Sequence, residues 1–141
     1  MPDTLDYPIR FVLVAPRYGG NVGSAARVLK NFGFSRLELV EPREGADHED
    51  AIRLAVDAAD VLAAARTHAT LDDALASAST VVGTSRRMGK HRQPHHRLAE
   101  LAPVIAGLAG RGLKIIVPQR EALRRVPYHG LATRRGVAKC R

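Results

Sequence analysis

The chain has 141 residues, 45% of them hydrophobic and 26% charged, which suits one soluble globular domain and excludes a multidomain assembly, a collagen-like repeat or a low-complexity chain. The formal net charge of +8 is unevenly spread: residues 1–85 carry 8 basic and 12 acidic side chains, residues 86–141 carry 14 basic and 2 acidic. Such asymmetry points to a polyanionic partner, nucleic acid first, or to a basic end that is merely solvated.

Residues 9–15, IRFVLVA, are a short apolar run rich in branched side chains, which predicts a strand buried on both faces. Pro16 ends it, and PRYGGN reads as a loop. Residues 22–32, VGSAARVLKNF, predict a helix with Val22, Ala25, Ala26 and Leu29 on one face and Gly33 as its stop. RLELV, 36–40, predicts a second strand, so the three elements make a right-handed parallel unit. EPREGADHED is a polar loop. The alanine-rich stretch from Glu49 to Ala65 predicts helix with a break near Asp57–Asp60. Thr70 is the expected N-cap of a helix over 71–77, with Asp72 and Asp73 in its first turn. TVVGT, 80–84, predicts a strand, SRRMGKHRQPHH a basic loop, 96–109 a helix kinked by Pro103, and KIIV, 114–117, a final strand. The order implies an α/β fold, a mostly parallel sheet with flanking helices. After Val117 the apolar period stops. The expectation is a core over 1–117 and a basic, irregular tail over 118–141, which holds seven basic residues against Glu121.

The segment Gly19-Gly20-Asn21-Val22-Gly23-Ser24-Ala25-Ala26-Arg27 follows the first strand, where open parallel sheets bind ligands. Glycines admit close backbone approach, and helix N-terminal amides favour phosphate. The pattern is neither G-x-G-x-x-G nor a P-loop. On pattern alone two readings stand: a nucleotide phosphate loop, or a plain Gly-rich turn with Asn21 capping a helix.

Asn21-x-Gly23-x-x-x-Arg27 after a strand, the LKNFGFSRLELVEP that follows, and LAVDAADVLAAARTHATLDDALASASTVVGTSRR further on resemble the SpoU/TrmH-type RNA ribose methyltransferases of the SPOUT superfamily. The likeness runs from Ile9 to Arg87 and is nearest the branch that methylates tRNA at the 2′-hydroxyl. It implies a Rossmann-like SPOUT core and S-adenosylmethionine as cofactor. Arg27 would act on the target ribose, helping to remove the 2′-hydroxyl proton or orienting that oxygen. Its guanidinium stays protonated in water, so orientation and charge stabilisation are the implied work. Asn21 would hold the loop and contact RNA. Thr84, Ser85 and Arg86 match a segment that lies against the cofactor. The reaction implies no metal, and the family implies a homodimer.

The resemblance also implies a C-terminal trefoil knot that completes the cofactor pocket, with a Phe-Gly-x-Glu-x-x-Gly-Leu loop after the strand matching KIIV and a later Ser-Leu-Asn segment. Here Pro118-Gln119-Arg120-Glu121-Ala122-Leu123 follows Val117, and the chain ends at Arg141. The expectation is therefore a core without the knot, a truncated or frame-shifted relative. The alternative to an enzyme is a non-catalytic RNA-binding module that retains the substrate face; a third reading is a generic nucleotide-binding domain using the Gly19–Gly23 loop.

For the RNA (tRNA or rRNA), Arg17 and the basic loop residues Arg87, Lys90 and Arg92 are the expected phosphate contacts. Aromatic residues are 4% of the chain, so recognition by shape and backbone is expected rather than base stacking. His91, His95 and His96 have no carboxylate or cysteine at ligand spacing, so no metal site is expected. Cys140, the only cysteine, reads as incidental rather than nucleophilic and excludes an internal disulfide. The sequence shows neither a secretory leader pattern nor an apolar run of the ~20 residues a membrane span needs, so a cytoplasmic location is expected.

Overall fold

The computed structural model describes residues 8–84, 95–96, 98–108, 113–118 and 137–140. In chain order the described elements are β1 (Arg10–Val14), α1 (Gly19–Asn31), β2 (Leu37–Val40), α2 (Glu49–Ala55), α3 (Ala59–Ala63), β3 (Arg66–His68), α4 (Leu71–Leu75), β4 (Thr80–Thr84), β5 (His95–His96), α5 (Leu98–Leu108), β6 (Leu113–Pro118) and β7 (Val137–Cys140). The strands form one sheet in the order β3-β2-β1-β6-β4-β7-β5. Every pairing is parallel, as the α/β pattern predicts.

Alternation along β1 divides the core into two layers. Leu13 and Phe11 join α1, α2 and α3 through Val22, Ala26, Leu29, Ala51, Ala55, Val61 and Leu62. α5 lies on that same face, with Leu101 and Ile105 against Ile9, Val82 and Ile115. Phe11 and Phe34 belong to both clusters and meet edge to face, ring centroids 5.0 Å apart. Val12, Val14, Val40 and Val81 face the other way, against Ala74, Leu71 and Leu75 of α4. α4 is the only helix on that face among the described residues. Thr70 caps α4 as expected, its Oγ1 accepting from the Asp73 amide at 3.1 Å.

Three strands do not show in the sequence pattern. β3 and β5 have three and two residues, too short for a period to register, and β7 reads Val-Ala-Lys-Cys, with no run of branched apolar residues to mark it. β7 lies inside the stretch 118–141 where no regular structure is expected, yet it pairs with β4 from Val81↔Val137 to Thr84↔Cys140. It stands between β4 and β5, parallel to both. Helix α1 also starts earlier than predicted, at Gly19 rather than residue 22. α5 runs through an exposed Pro103.

α1 and α2 touch at backbone distance. A Cβ on Gly23 would stand 2.1 Å from the Ala51 carbonyl oxygen, and one on Gly19 2.7 Å from Nδ1 of His48. Backbone cannot give way as a side-chain tip can, so this crossing requires glycine at 23. Gly107, in α5, has nothing within 4 Å of the same construction. Gly23→Ala should therefore cost about 2 kcal/mol or more by chemical denaturation. Gly107→Ala should stabilise by about 0.5–1 kcal/mol through helix propensity alone.

Candidate active site

Parallel sheets bind ligands beyond the C-terminal ends of strands, at the point where chain direction across the sheet reverses. Here that point is β1, from which the chain builds outward to β2 and β3 and then returns to the far side, where β6 and β4 lie. Val14↔Pro118 and Gly83↔Ile116 are register partners, so the loop after β1 and Thr84 at the end of β4 leave from the same edge. Thr84 is half-buried there. Beside it, Gly83 has nothing within 4 Å of where a Cβ would stand.

The loop after β1 is held tightly. Ala15 and Glu41, the residues following β1 and β2, both take left-handed backbone, φ 50° and 45°. Non-glycine residues rarely adopt that region, and it concentrates at functional turns. The Ala15 amide donates to the Val40 carbonyl at 2.8 Å, and the Arg43 amide to the Pro16 carbonyl at 2.9 Å. The loop between β2 and α2 is thereby fastened over the one between β1 and α1. Arg17 and Tyr18 at its tip are exposed.

That fastening carries a carboxylate to the start of α1. The Gly19 amide donates to Oε2 of Glu44 at 2.6 Å, a charge-assisted bond at the positive end of the helix. His48 stands beside it. Its Nδ1 accepts from the Asp50 amide at 3.2 Å and so caps α2. A neutral ring accepting at Nδ1 carries its proton on Nε2, which lies 3.8 Å from the same Glu44 oxygen. The place where a phosphate-loop reading puts an anion is thus taken by the chain's own carboxylate. Asn21 is not a cap either: Tyr18 is at the N-cap position, and Asn21 is exposed within the first turn.

The motif residues separate by helical angle. Gly19, Val22, Gly23, Ala26 and Leu29 are buried against the sheet and α2. Asn21, Ser24, Arg27 and Asn31 are exposed. Arg27 stands two turns down α1, about 12 Å along the axis from Gly19 and about 9 Å from Asn21. The two expected catalytic residues are therefore both accessible, but on different flanks of the helix. At its far end, Nζ of Lys30 donates to Oδ1 of Asp60 at 2.8 Å and to the Asp57 carbonyl at 2.9 Å, tying α1 to α3. The hydrogen bond from Lys30 holds the Asp60 carboxyl below the usual carboxylate range.

Of the expected site, Arg17, Asn21, Arg27 and Thr84 are described. Ser85, Arg86, Arg87, Lys90 and Arg92, with His91, lie outside the described residues. Among the described residues no group of His, Cys, Asp and Glu could hold a metal ion, and no helix is long and apolar enough to cross a membrane. Sequence reasoning missed Glu44 and His48, because a loop closing over a helix end leaves no periodic trace. It also missed Glu38 and Lys114, which are buried and paired on the α4 face. The lone acid inside LELV is the signal that marks the first of them.

Comparison with known proteins matches residues 8–115 to the SpoU rRNA Methylase family. A tRNA (cytidine/uridine/adenosine-2′-O-)-methyltransferase TrmJ from Pseudomonas aeruginosa is 51% identical over 79 residues, 56% of this chain and 30% of that protein. A tRNA (cytidine/uridine-2′-O-)-methyltransferase TrmJ from Salmonella typhimurium is 49% identical over the same length and covered to 32%. The chain thus matches about a third of the length of these curated relatives. Among solved structures, a probable methyltransferase from Bordetella pertussis Tohama I superposes with a TM-score of 0.79 at 27% identity, covering 97% of this chain and 80% of that one. TrmJ from Z. mobilis ZM4 gives 0.75 at 31%, covering 93% and 57%.

Two outcomes follow from the geometry around α1. Glu44→Ala should cost about 1 kcal/mol by chemical denaturation, the usual worth of a helix cap. In an NMR titration Asp60 should titrate below the ordinary carboxylate range, and Lys30→Met should return it there. The stabilisation from that pair is present above the ordinary range and is lost as pH falls through the lowered value.

Proposed function

The chain belongs to the SpoU rRNA methylase family, and from that premise we propose that it transfers a methyl group from S-adenosylmethionine to a ribose 2′-hydroxyl of RNA, with tRNA as the substrate class. The observation that carries the reading is the motif helix itself. α1 begins at the C-terminal edge of the sheet, turns its glycines and apolar residues inward, and leaves Asn21 and Arg27 exposed.

Thr84 and the open backbone at Gly83 fit a cofactor lying across the end of β4, and Ser85 and Arg86 continue that segment in sequence. When bound, S-adenosylmethionine supplies an electrophilic methyl group on sulfur, so no metal is called for. Arg27 holds the 2′-oxygen in line and stabilises the negative charge that grows on it as its proton passes to solvent water; a guanidinium does this as a fixed donor and not as a base. Asn21, with an amide that both donates and accepts, contacts the RNA from the other flank of the helix. Arg17, Arg87, Lys90 and Arg92 contact phosphates without reading sequence. Homodimerisation belongs to the same proposal: Val28 and Phe32, 53% and 71% exposed on α1, form an apolar strip on the motif helix that a second copy would cover.

A second reading, RNA binding without methyl transfer, is favoured by one observation. Gln119-Arg120-Glu121 follows β6, whose last residue is Pro118, where the resemblance expects a glycine-rich loop against the cofactor.

Methyl transfer from labelled S-adenosylmethionine to bulk tRNA separates the two. The enzyme reading expects turnover by the 141-residue chain, and a loss of about 100-fold or more in Arg27→Ala with the fold intact by circular dichroism. No turnover, with salt-sensitive tRNA binding retained, selects the second reading. In either case Lys90→Ala should flatten the dependence of log affinity on log salt by about one unit.

A further inference from the structure

Glu38 and Lys114 are the only charged residues among the buried ones described, at 2% and 3% exposure, and neither has a part in the reaction proposed above. Glu38 lies on β2, at the level of Val12 on β1. Lys114 lies on β6, directly opposite Arg10 on β1. Nζ of Lys114 reaches across β1 to donate to Oε2 of Glu38 at 3.1 Å, spanning the roughly 10 Å between second-neighbour strands. It also donates to the Ala74 carbonyl of α4. A guanidinium nitrogen of Arg10 donates to Oε1 of Glu38 at 3.1 Å, and Nε2 of His68 on β3 is 3.1 Å from Oε2. One carboxylate therefore gathers side chains from β1, β3 and β6.

The charges do not balance. Arg10 and Lys114 are register partners, and like charges directly opposite in a sheet repel. Glu38 is the only carboxylate in contact with either among the described residues. A slip of β6 by one residue would turn Lys114 onto the opposite face, among Ile9, Val82 and Leu101. We infer that Glu38 is an electrostatic staple, and that Lys114 is the pin fixing the register of β6 between β1 and β4. The staple joins the side of the sheet that carries α1 to the side that carries Thr84. It does not depend on the proposed reaction.

The arrangement makes the two partners unequal. Glu38→Met strands Lys114 in the core with Arg10 facing it. Lys114→Met removes one cation and leaves Glu38 with Arg10 and His68. The double variant leaves Arg10, which is 27% exposed and can turn to water, with no lysine buried opposite it. Denaturant unfolding and amide hydrogen exchange on the 141-residue chain test this directly. The expected result is at least a tenfold loss in folding equilibrium constant for Glu38→Met, a smaller loss for Lys114→Met, and recovery in the double variant relative to Glu38→Met. Exchange in Glu38→Met should rise more at the amides of Ile115 and Ile116 on β6 than at Leu37 and Leu39 on β2. If Glu38→Met fails to fold, folding of the double variant is the recovery. The inference is overturned if the double variant is no better than Glu38→Met, if Lys114→Met costs as much as Glu38→Met, or if exchange rises uniformly across the sheet.

Discussion

Glu38 sits in a four-residue strand whose other residues are all apolar and buried. A carboxylate taken out of water is tolerated only where cations and donors reach it. Here they come from strands on both sides and from a residue 76 positions later in the chain. That single need constrains the sheet as apolar contact cannot. Valine and isoleucine pack nearly as well one residue out of step, whereas Lys114 finds its partner in one register only. The strand carrying it stands between β1 and β4, and so decides how the two sides of the C-terminal edge line up.

The second constraint is the crossing of α1 and α2. Glycines after a strand invite a phosphate reading because they bare the backbone. In this protein the bared backbone meets another part of the same chain: Ala51 at Gly23, and His48 and Glu44 at Gly19. The motif divides by helical angle into residues that build the contact and residues left exposed. Asn21 and Arg27 belong to the second group. This explains why one short segment answers both to a packing pattern and to a methyltransferase motif. The glycines hold the helix in place, and the polar residues are what the helix presents.

The proposed reaction belongs at the C-terminal edge of the sheet. The loop after β1 is pinned by backbone bonds to the β2 side, while Thr84 stands at the end of β4. A substrate lying along α1 and a cofactor lying across β4 would meet over β1 and β6, where strand order reverses. The left-handed turns at Ala15 and Glu41 stand at that edge, and under the proposed reaction a defined loop geometry would help hold a ribose in line.

Much of this was legible in the chain itself. The strands at β1, β2, β4 and β6, the break between α2 and α3, the Thr70 cap and the parallel α/β class all follow from apolar period and cap chemistry, which act over a few neighbouring residues. The motif Asn21-x-Gly23-x-x-x-Arg27 pointed to the family for the same reason, since its spacing is local. Other features depended on residues far apart in sequence. The order that inserts β6 beside β1, the strand β7 within a stretch with no apolar pattern, the capping of α1 by Glu44, and the pairing of Glu38 with Lys114 were settled only when distant segments met. Local propensity reports what one segment prefers. Which carboxylate meets which cation, and which glycine meets which carbonyl, is fixed by the packing of the whole sheet.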